Sequence, residues 1–188
     1  MQHQETEFRF CPACGGRLTI SRPVENGPAR QICSACHFIF YLDPKVVACA
    51  LLELDDKLVL LKRGVKPQKG KWAIPGGYVD RGEEVKAAAI RETKEECGLS
   101  IEIKELLGVY SYSGQVPVVI VYVVKYLSGV LSPGDETVTA GLFSQDQVPW
   151  PDLAFQSTAD ALKDYYALKM KDPLQSSSQT KLEKNQKE

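Results

Sequence analysis

The run Gly77-Tyr-Val-Asp-Arg-Gly-Glu83-Glu-Val-Lys-Ala-Ala-Ala-Ile-Arg91-Glu92-Thr-Lys-Glu95-Glu96-Cys-Gly98-Leu99 changes character after its first few residues. It opens on turn residues. From Glu83 to Cys97, alanines and alternating charges then recur at helical period, and Gly98 follows as a stop, so an amphipathic helix is expected over 83–97. On such a helix Glu92, Glu95 and Glu96 stand at i, i+3 and i+4, so three carboxylates share one face near its C-terminal half. They repel one another, and the helix dipole adds partial negative charge at that end. The arrangement costs stability unless cations neutralise it, and hard divalent ions such as Mg²⁺ or Mn²⁺ prefer oxygen donors of this kind. The plain alternative is a solvated acidic face. Glycines around the helix favour the metal reading, because Gly76 and Gly77 permit close backbone approach and Gly82 lets the chain turn into the helix. Arg91 can hold neighbouring carboxylates by paired hydrogen bonds and fix their rotamers. Glu83 is expected to extend the acidic surface.

Working outward, Lys45–Leu54 and Lys57–Arg63 are β-branched and leucine-rich runs separated by Asp55-Asp56, which reads as a hairpin. Trp72–Val79 is broken by Pro75-Gly76-Gly77 and is more loop than strand. Ile101–Ser113 and Val116–Leu127 form a second hairpin, the latter with nearly continuous valines suited to a buried strand. Thr139–Ser144 adds a short strand. Ser157–Met170 closes the domain as a helix with Ala161, Leu162, Tyr165 and Leu168 on one face. Strands and helices therefore mix in one α/β domain of residues 43–170, after a connection at Tyr41-Leu42-Asp43-Pro44. Residues 171–188, rich in Ser, Gln, Lys and Glu, are expected to form a disordered tail.

Residues 1–42 follow a different logic. Cys11-Pro-Ala-Cys14 and Cys33-Ser-Ala-Cys36 are two Cys-x-x-Cys knuckles at the spacing of a four-cysteine zinc site. Gly15 and Gly16 allow the tight turn that aims backbone amides at sulfur. Leu18–Pro23 and Ala29–Ile32 are expected as paired strands around the turn Glu25-Asn26-Gly27-Pro28, which makes a zinc ribbon. So short a segment cannot bury enough surface to fold unaided, and structural zinc supplies on the order of 10 kcal/mol. Four thiolates close the coordination shell, so the ion is expected to be structural, with His37 an ordinary surface residue. A thioredoxin-like redox pair would need one knuckle to open a helix, which this segment does not offer. Cys49 and Cys97 are expected as buried thiols.

Composition bounds the rest. The chain has 188 residues, 44% hydrophobic and 25% charged, enough for one main core and a small appendage. Its 23 Lys and Arg nearly balance 24 Asp and Glu, for a net charge of −1, so it lacks the bulk field that grips a polyanion. The longest apolar run, Val118–Val124, falls far short of the roughly 20 residues that span a bilayer. Met1–Phe10 is polar and unlike a secretory signal, so a cytoplasmic location is expected.

The run quoted first resembles the Nudix box: glycine, five residues, glutamate, seven residues, Arg-Glu, an aliphatic, any residue, Glu-Glu, any residue, glycine and an aliphatic. Gly77, Glu83, Arg91, Glu92, Glu95, Glu96, Gly98 and Leu99 match it. Thr93 departs, standing where an aliphatic is usual, at a position that packs the helix on the sheet. The resemblance implies a Nudix α/β/α sandwich with a mixed sheet, and the ribbon narrows it to zinc-ribbon Nudix hydrolases. Asp43-Pro-Lys-Val-Val, Gly70-Lys-Trp-Ala-Ile-Pro-Gly-Gly-Tyr78 and Leu153-Ala-Phe-Gln-Ser157 are similar to plant-type FAD and ADP-ribose pyrophosphatases. Bacterial NADH pyrophosphatases follow the box with a Ser-Gln-Pro-Trp-Pro-Phe-Pro type signature. Here that region reads Tyr110-Ser-Tyr-Ser-Gly-Gln-Val-Pro, and Pro149-Trp150-Pro151 comes too late.

The resemblance implies divalent-metal-dependent hydrolysis of a nucleoside diphosphate linked to another moiety, such as FAD, ADP-ribose or a nicotinamide dinucleotide. The alternatives are a nucleoside-triphosphate hydrolase of the same family and a non-catalytic Nudix protein that binds nucleotide or nucleic acid. It implies Mg²⁺ or Mn²⁺ held by Glu92, Glu95 and Glu96, with Arg91 in the catalytic group. Glu95 or Glu96 can serve as base, and so can Glu136 on the loop after the long strand. Arg63 and Lys71 are candidates for touching phosphates, Gly77 for close approach, and Trp72, Tyr78 and Phe155 for stacking on a ring. The implied partner is a small nucleotide, with no membrane and no extended nucleic acid. A homodimer, with the ribbon as mediator, is compatible with the family.

Overall fold

The computed structural model describes residues 8–23 and 27–171. The chain forms two compact units, one of Met1–Lys45 with Tyr112–Val116, the other of Val46–Ser111 with Pro117–Glu188.

In the first unit, β1 (Leu18–Ser21) pairs antiparallel with β2 (Arg30–Cys33), Leu18 opposite Cys33 and Ser21 opposite Arg30. These are the two strands expected from the sequence. Of the turn between them, Glu25 and Asn26 lie outside the described residues. A third strand, β3 (Ile39–Phe40), lies beside β2 and is too short to leave a periodic signal. The core of this unit is Cys11, Leu18 and Cys33, with Phe40 packed against them. Three buried apolar side chains do not offset the conformational entropy of ordering so many residues, so the fold is expected to rely on its cysteine centre.

In the second unit the expected strand Lys45–Leu54 is two strands, β4 (Lys45–Leu51) and β5 (Glu53–Leu54). The break at the fully buried Leu52 marks a change of sheet, since β4 pairs with Gly76–Tyr78 in one four-stranded sheet and β5 pairs with Lys57–Arg63 in another. Asp55 and Asp56, with φ of 50° and 60°, make the tight hairpin turn into β6 (Lys57–Arg63). Two short strands follow, β7 (Trp72–Ala73) and β8 (Gly76–Tyr78); the break falls at Ile74-Pro75 only, and Gly76 and Gly77, expected as loop, pair with β4 because their missing side chains allow the close approach. The remaining strands and α-helices are α1 (Val85–Cys97), β9 (Leu99–Tyr110), β10 (Pro117–Gly129), β11 (Thr137–Phe143) and α2 (Gln156–Lys171), with two single-turn 3-10 helices, Gln145–Gln147 and Trp150–Asp152, between the last two. The tail expected beyond residue 171 lies outside the described residues.

Alternation along β4 and β6 places the helices. Ala48, Ala50, Leu52, Val59 and Leu61 join a core cluster with Ala88 and Ala89 of α1. Their neighbours Cys49, Leu51, Leu58 and Leu60 join a second cluster with Ala161, Leu162 and Tyr166 of α2. The central strands are therefore buried on both faces, which explains their unbroken apolar runs. On α2, Tyr166 rather than Leu168 completes the buried face, and Leu168 is exposed.

Candidate active site and cysteine metal centre

α1 begins at Val85, later than the periodicity suggests, because the chain before it is folded into a clamp. The Glu83 carboxylate accepts from the Asp80 amide at 3.0 Å, and the Glu83 amide donates to the Asp80 carbonyl at the same distance. Arg91 then closes the clamp. Its Nε and Nη2 donate to the two Glu83 oxygens at 2.8 and 2.9 Å, a bidentate pair. Nη2 also donates to the Tyr78 carbonyl at 3.1 Å, and Nη1 donates to Glu92 at 2.7 Å and Glu95 at 3.2 Å. With five hydrogen bonds to the protein, this guanidinium has no donor left for a substrate. Arg91, expected in the catalytic group, is thus spent on the carboxylates of Glu83, Glu92 and Glu95. Glu83 does not extend the acidic surface: hydrogen bonds from Arg91 and from the Asp80 amide hold its carboxyl down at about 2, and it is absent from the cleft described next.

That cleft, about 550 Å³, lies over the face of α1 carrying the glutamates and is lined by Arg63, Gly76–Tyr78, Asp80, Arg91, Glu92, Glu95, Glu96, Asp135 and Glu136. Gly77 lets the helix approach the sheet, and Gly76 lets β8 lie close against β4. A Cβ on Gly77 would stand 2.5 Å from the Glu92 carboxylate, and one on Gly76 would stand 2.5 to 2.6 Å from β4 backbone and the Cys49 sulfur. The Gly76 amide donates to Glu96 at 2.8 Å. Burial, reinforced by the Glu92 and Glu136 carboxylates, nevertheless pushes Glu96 up to about 7, against the pull of that amide and of Arg63.

Glu136 arrives from far along the chain on a loop tied to both sides of the cleft. Ser132 and Gly134 donate backbone hydrogen bonds to the Cys97 and Glu96 carbonyls at 3.1 and 2.9 Å, and the Glu136 carbonyl accepts from Gly64 at 2.7 Å. Tyr78 lines the cleft and is more than half exposed. The other aromatics named from the sequence lie elsewhere. Trp72 is not in the cleft lining; it packs edge-on against Phe143 at 4.8 Å and within the α2-side core. Phe155 lies under the Arg63 guanidinium at 5.1 Å, also outside the lining. Lys71 donates to the Pro151 carbonyl at 3.4 Å and does not reach the cleft. Sequence reasoning passed over Asp80, whose only signal is its place between Gly77 and the helix. Thr93, the departure from the box, is fully buried and donates to the Ala89 carbonyl at 2.7 Å, so its hydroxyl is satisfied inside the helix.

In the ribbon, the Cys11, Cys14, Cys33 and Cys36 sulfurs all lie within 4.8 Å of one another. Separations of 3.8 Å (Cys11–Cys36), 3.5 Å (Cys14–Cys33) and 3.2 Å (Cys14–Cys36) compare with an edge of about 3.8 Å for a tetrahedron of thiolates around zinc. Amides of Ala13, Gly16 and Ala35 point at sulfur from 3.4 Å, the arrangement that stabilises thiolates. A Cβ on Gly16 would stand 3.0 Å from the Cys33 sulfur. The donor set therefore fits one tetrahedral metal ion, and His37 is not part of it. Cys49 and Cys97 are buried thiols, both pushed up by burial, to about 12 and about 11.

Comparison with known proteins accords with this geometry. The family model described as NUDIX domain matches residues 43–165, and the one described as Nudix N-terminal, a zinc ribbon, matches residues 9–42. The chain belongs to the Nudix hydrolase family. A relative named ADP-ribose pyrophosphatase from Methanocaldococcus jannaschii is 40% identical over 66% of this chain and 75% of its own length. An NAD-capped RNA hydrolase NudC from Vibrio vulnificus is 27% identical over 78% of this chain, which spans about half (55%) of that relative. The crystal structure of a NUDIX hydrolase from Nitrosomonas europaea superposes with a TM-score of 0.83 at 35% identity, covering 88% of this chain and 94% of that one. Among the described residues no helix is long and apolar enough to cross a membrane.

Proposed function

We propose that the protein hydrolyses the pyrophosphate bond of a nucleoside diphosphate linked to another moiety, with FAD, ADP-ribose and nicotinamide dinucleotides as the substrate class. The observation that carries this reading is the convergence of Glu92, Glu95, Glu96 and Glu136 with Arg63 in one cleft. Glu92, Glu95 and Glu96 would hold Mg²⁺ or Mn²⁺, which when bound neutralise phosphate charge and acidify a water. Arg91 sets the rotamers of Glu92 and Glu95, and the Gly76 amide sets that of Glu96. The Glu136 side chain makes no hydrogen bond or ion pair among the described residues, so it is the carboxylate best placed to accept the proton of the attacking water. Arg63 binds a phosphate oxygen, and exposed Tyr78 offers its ring to a base or flavin. The four cysteines hold a structural zinc. Residues 1–42 act as the ribbon, 43–170 as the hydrolase domain and 171–188 as a tail, in a cytoplasmic protein whose homodimerisation light scattering would test.

The deciding experiment is product analysis with Mg²⁺ or Mn²⁺ over FAD, ADP-ribose, NADH and nucleoside triphosphates. AMP release from the dinucleotides supports the proposal. Turnover of triphosphates alone would favour the triphosphate hydrolase reading, and no turnover of any would favour a binding protein.

A further inference from the structure

Phe155 is an aromatic residue without a place in the core. It is 36% exposed, and neither hydrophobic cluster of the second unit includes it, even among the partly buried side chains packed on each. It also stands where a ring does the fold little good. The Ala159 amide closes the first turn of α2 on the Phe155 carbonyl at 3.3 Å, so Phe155 caps that helix. Ser, Thr, Asp or Asn stabilise such a position, whereas an apolar side chain offers the first helix amides no acceptor. What the ring does meet is the Arg63 guanidinium, whose carbon lies over it at 5.1 Å from the centroid.

Both partners are carried on fixed backbone. Trp72 and Leu153 form a parallel bridge, and the Ala154 amide donates to the Trp72 carbonyl at 2.7 Å, which ties the residues before Phe155 to β7. Arg63 ends β6 opposite Thr137 of β11; its amide donates to the Lys71 carbonyl at 2.9 Å, and its carbonyl accepts from Gly70 at 2.8 Å. Its side chain is held too. Nε donates to the Pro67 carbonyl at 3.0 Å, while Nη1 and Nη2 make no hydrogen bond or ion pair with the protein among the described residues. The ring therefore supports one face of the guanidinium, Pro67 takes one edge, and the two η-nitrogens remain for the cleft that Arg63 lines. An unsupported arginine loses the freedom of a long side chain when it meets an anion; here much of that freedom is lost in advance.

We infer that Phe155 is a positioning residue for Arg63, holding the guanidinium so that Nη1 and Nη2 meet the substrate's pyrophosphate as a preformed pair of donors. This rests on the pyrophosphatase reading above and adds the residue through which its phosphate contact is set. The ring lies outside the cleft lining and acts on substrate through Arg63 alone. A contact made equally in the ground state and the transition state alters KM and leaves kcat as it was.

The test measures kcat and KM with Mg²⁺ on the best substrate of the panel above, in the full chain. It compares wild type with Phe155→Leu, Phe155→Tyr, Arg63→Gln and Arg63→Gln/Phe155→Leu. Phe155→Leu stays apolar but loses the π face, and is expected to raise KM about fivefold, the scale of one partly exposed cation–π contact, with kcat unchanged. Phe155→Tyr keeps the face and should keep the wild-type KM. With Arg63→Gln already in place, Phe155→Leu should add nothing. A lower kcat at wild-type KM overturns the inference, because that is a loss of folded enzyme. A rise in KM of the same size with and without the Arg63 side chain also overturns it, as does a Leu variant with wild-type KM. Calorimetric titration with inorganic pyrophosphate and Mg²⁺ reads the same contact without turnover of a dinucleotide. Weaker pyrophosphate binding in Phe155→Leu that depends on Arg63, with no hydrolysis of any dinucleotide, sinks the pyrophosphatase reading and keeps the positioning role. Hydrolysis without that dependence does the reverse, and a wild type that neither binds pyrophosphate nor hydrolyses a dinucleotide overturns both.

Discussion

Glu92 occupies its place in the cleft only because Gly77 has no side chain. A Cβ there would stand 2.5 Å from the carboxylate, and the opposing β8 backbone, paired with β4, cannot retreat. Gly77→Ala is therefore expected to displace Glu92 and lower Mg²⁺-dependent kcat/KM on the order of 10²-fold, the cost of misplacing a reacting group by about an ångström. Circular dichroism should stay native; unchanged turnover would refute the argument. Glu83 gives a prediction on pH. Its folded carboxyl lies at about 2, below the usual value, so its contribution to stability is present above the unfolded carboxylate range and is lost as pH falls through about 2. Glu83→Gln should thus be less stable at pH 7 and decline less steeply than wild type on acid titration followed by tryptophan fluorescence. The three glutamates of α1 were legible from spacing alone. The bond from Arg91 to Glu83 was not, because Glu83 sits outside the helix and periodicity says nothing about a loop folding back.

At the scale of elements, the C-terminus of α1 is where the helix and the loop carrying Glu136 meet. Gly98 takes the left-handed conformation at φ 74°, and its amide donates to the Lys94 carbonyl. A Cβ there would also stand 2.9 Å from both Ser132 Oγ and the Val130 carbonyl. Gly98→Ala should lose about 1–2 kcal/mol in urea unfolding. Its turnover should fall as well, because Ser132 and Gly134, which carry the loop to Glu136, hydrogen-bond to this helix end. A variant destabilised with full kcat would separate the cap from the loop. Gly98 was readable as a helix stop, and β6 and the hairpin at Asp55-Asp56 were readable from alternation and turn chemistry. The docking of the Glu136 loop depends on carbonyls of Cys97 and Glu96 that any helix end exposes, so no residue pattern announces it. The same limit hid the break at Leu52, where the apolar run continues while the strand changes sheet.

For the molecule as a whole, near-zero net charge conceals separate concentrations of opposite sign, the glutamates of α1 and the five cations of residues 62–71. The two units differ in what holds them. The second has two clusters of buried side chains, whereas the first has three buried apolar residues, two of them cysteines of the four-sulfur group. Its stability is therefore expected to depend on a metal at the four cysteines, whose binding would be folding free energy on the order of 10 kcal/mol. Zinc removal by a strong chelator, followed in the full chain by calorimetry and by metal analysis, should abolish or lower a thermal transition belonging to the ribbon and leave that of residues 43–170. Chelator must then be exchanged for Mg²⁺ before activity is measured, since it strips the carboxylate site too. With Mg²⁺ restored, the zinc-free protein should keep the chemical step to the extent that its hydrolase domain stays folded, because four sulfurs leave no coordination position for water or substrate. Cys33→Ser should reproduce the loss of the ribbon transition without any chelator. A zinc-free protein that keeps both transitions yet hydrolyses nothing would show that the ribbon acts in the reaction itself.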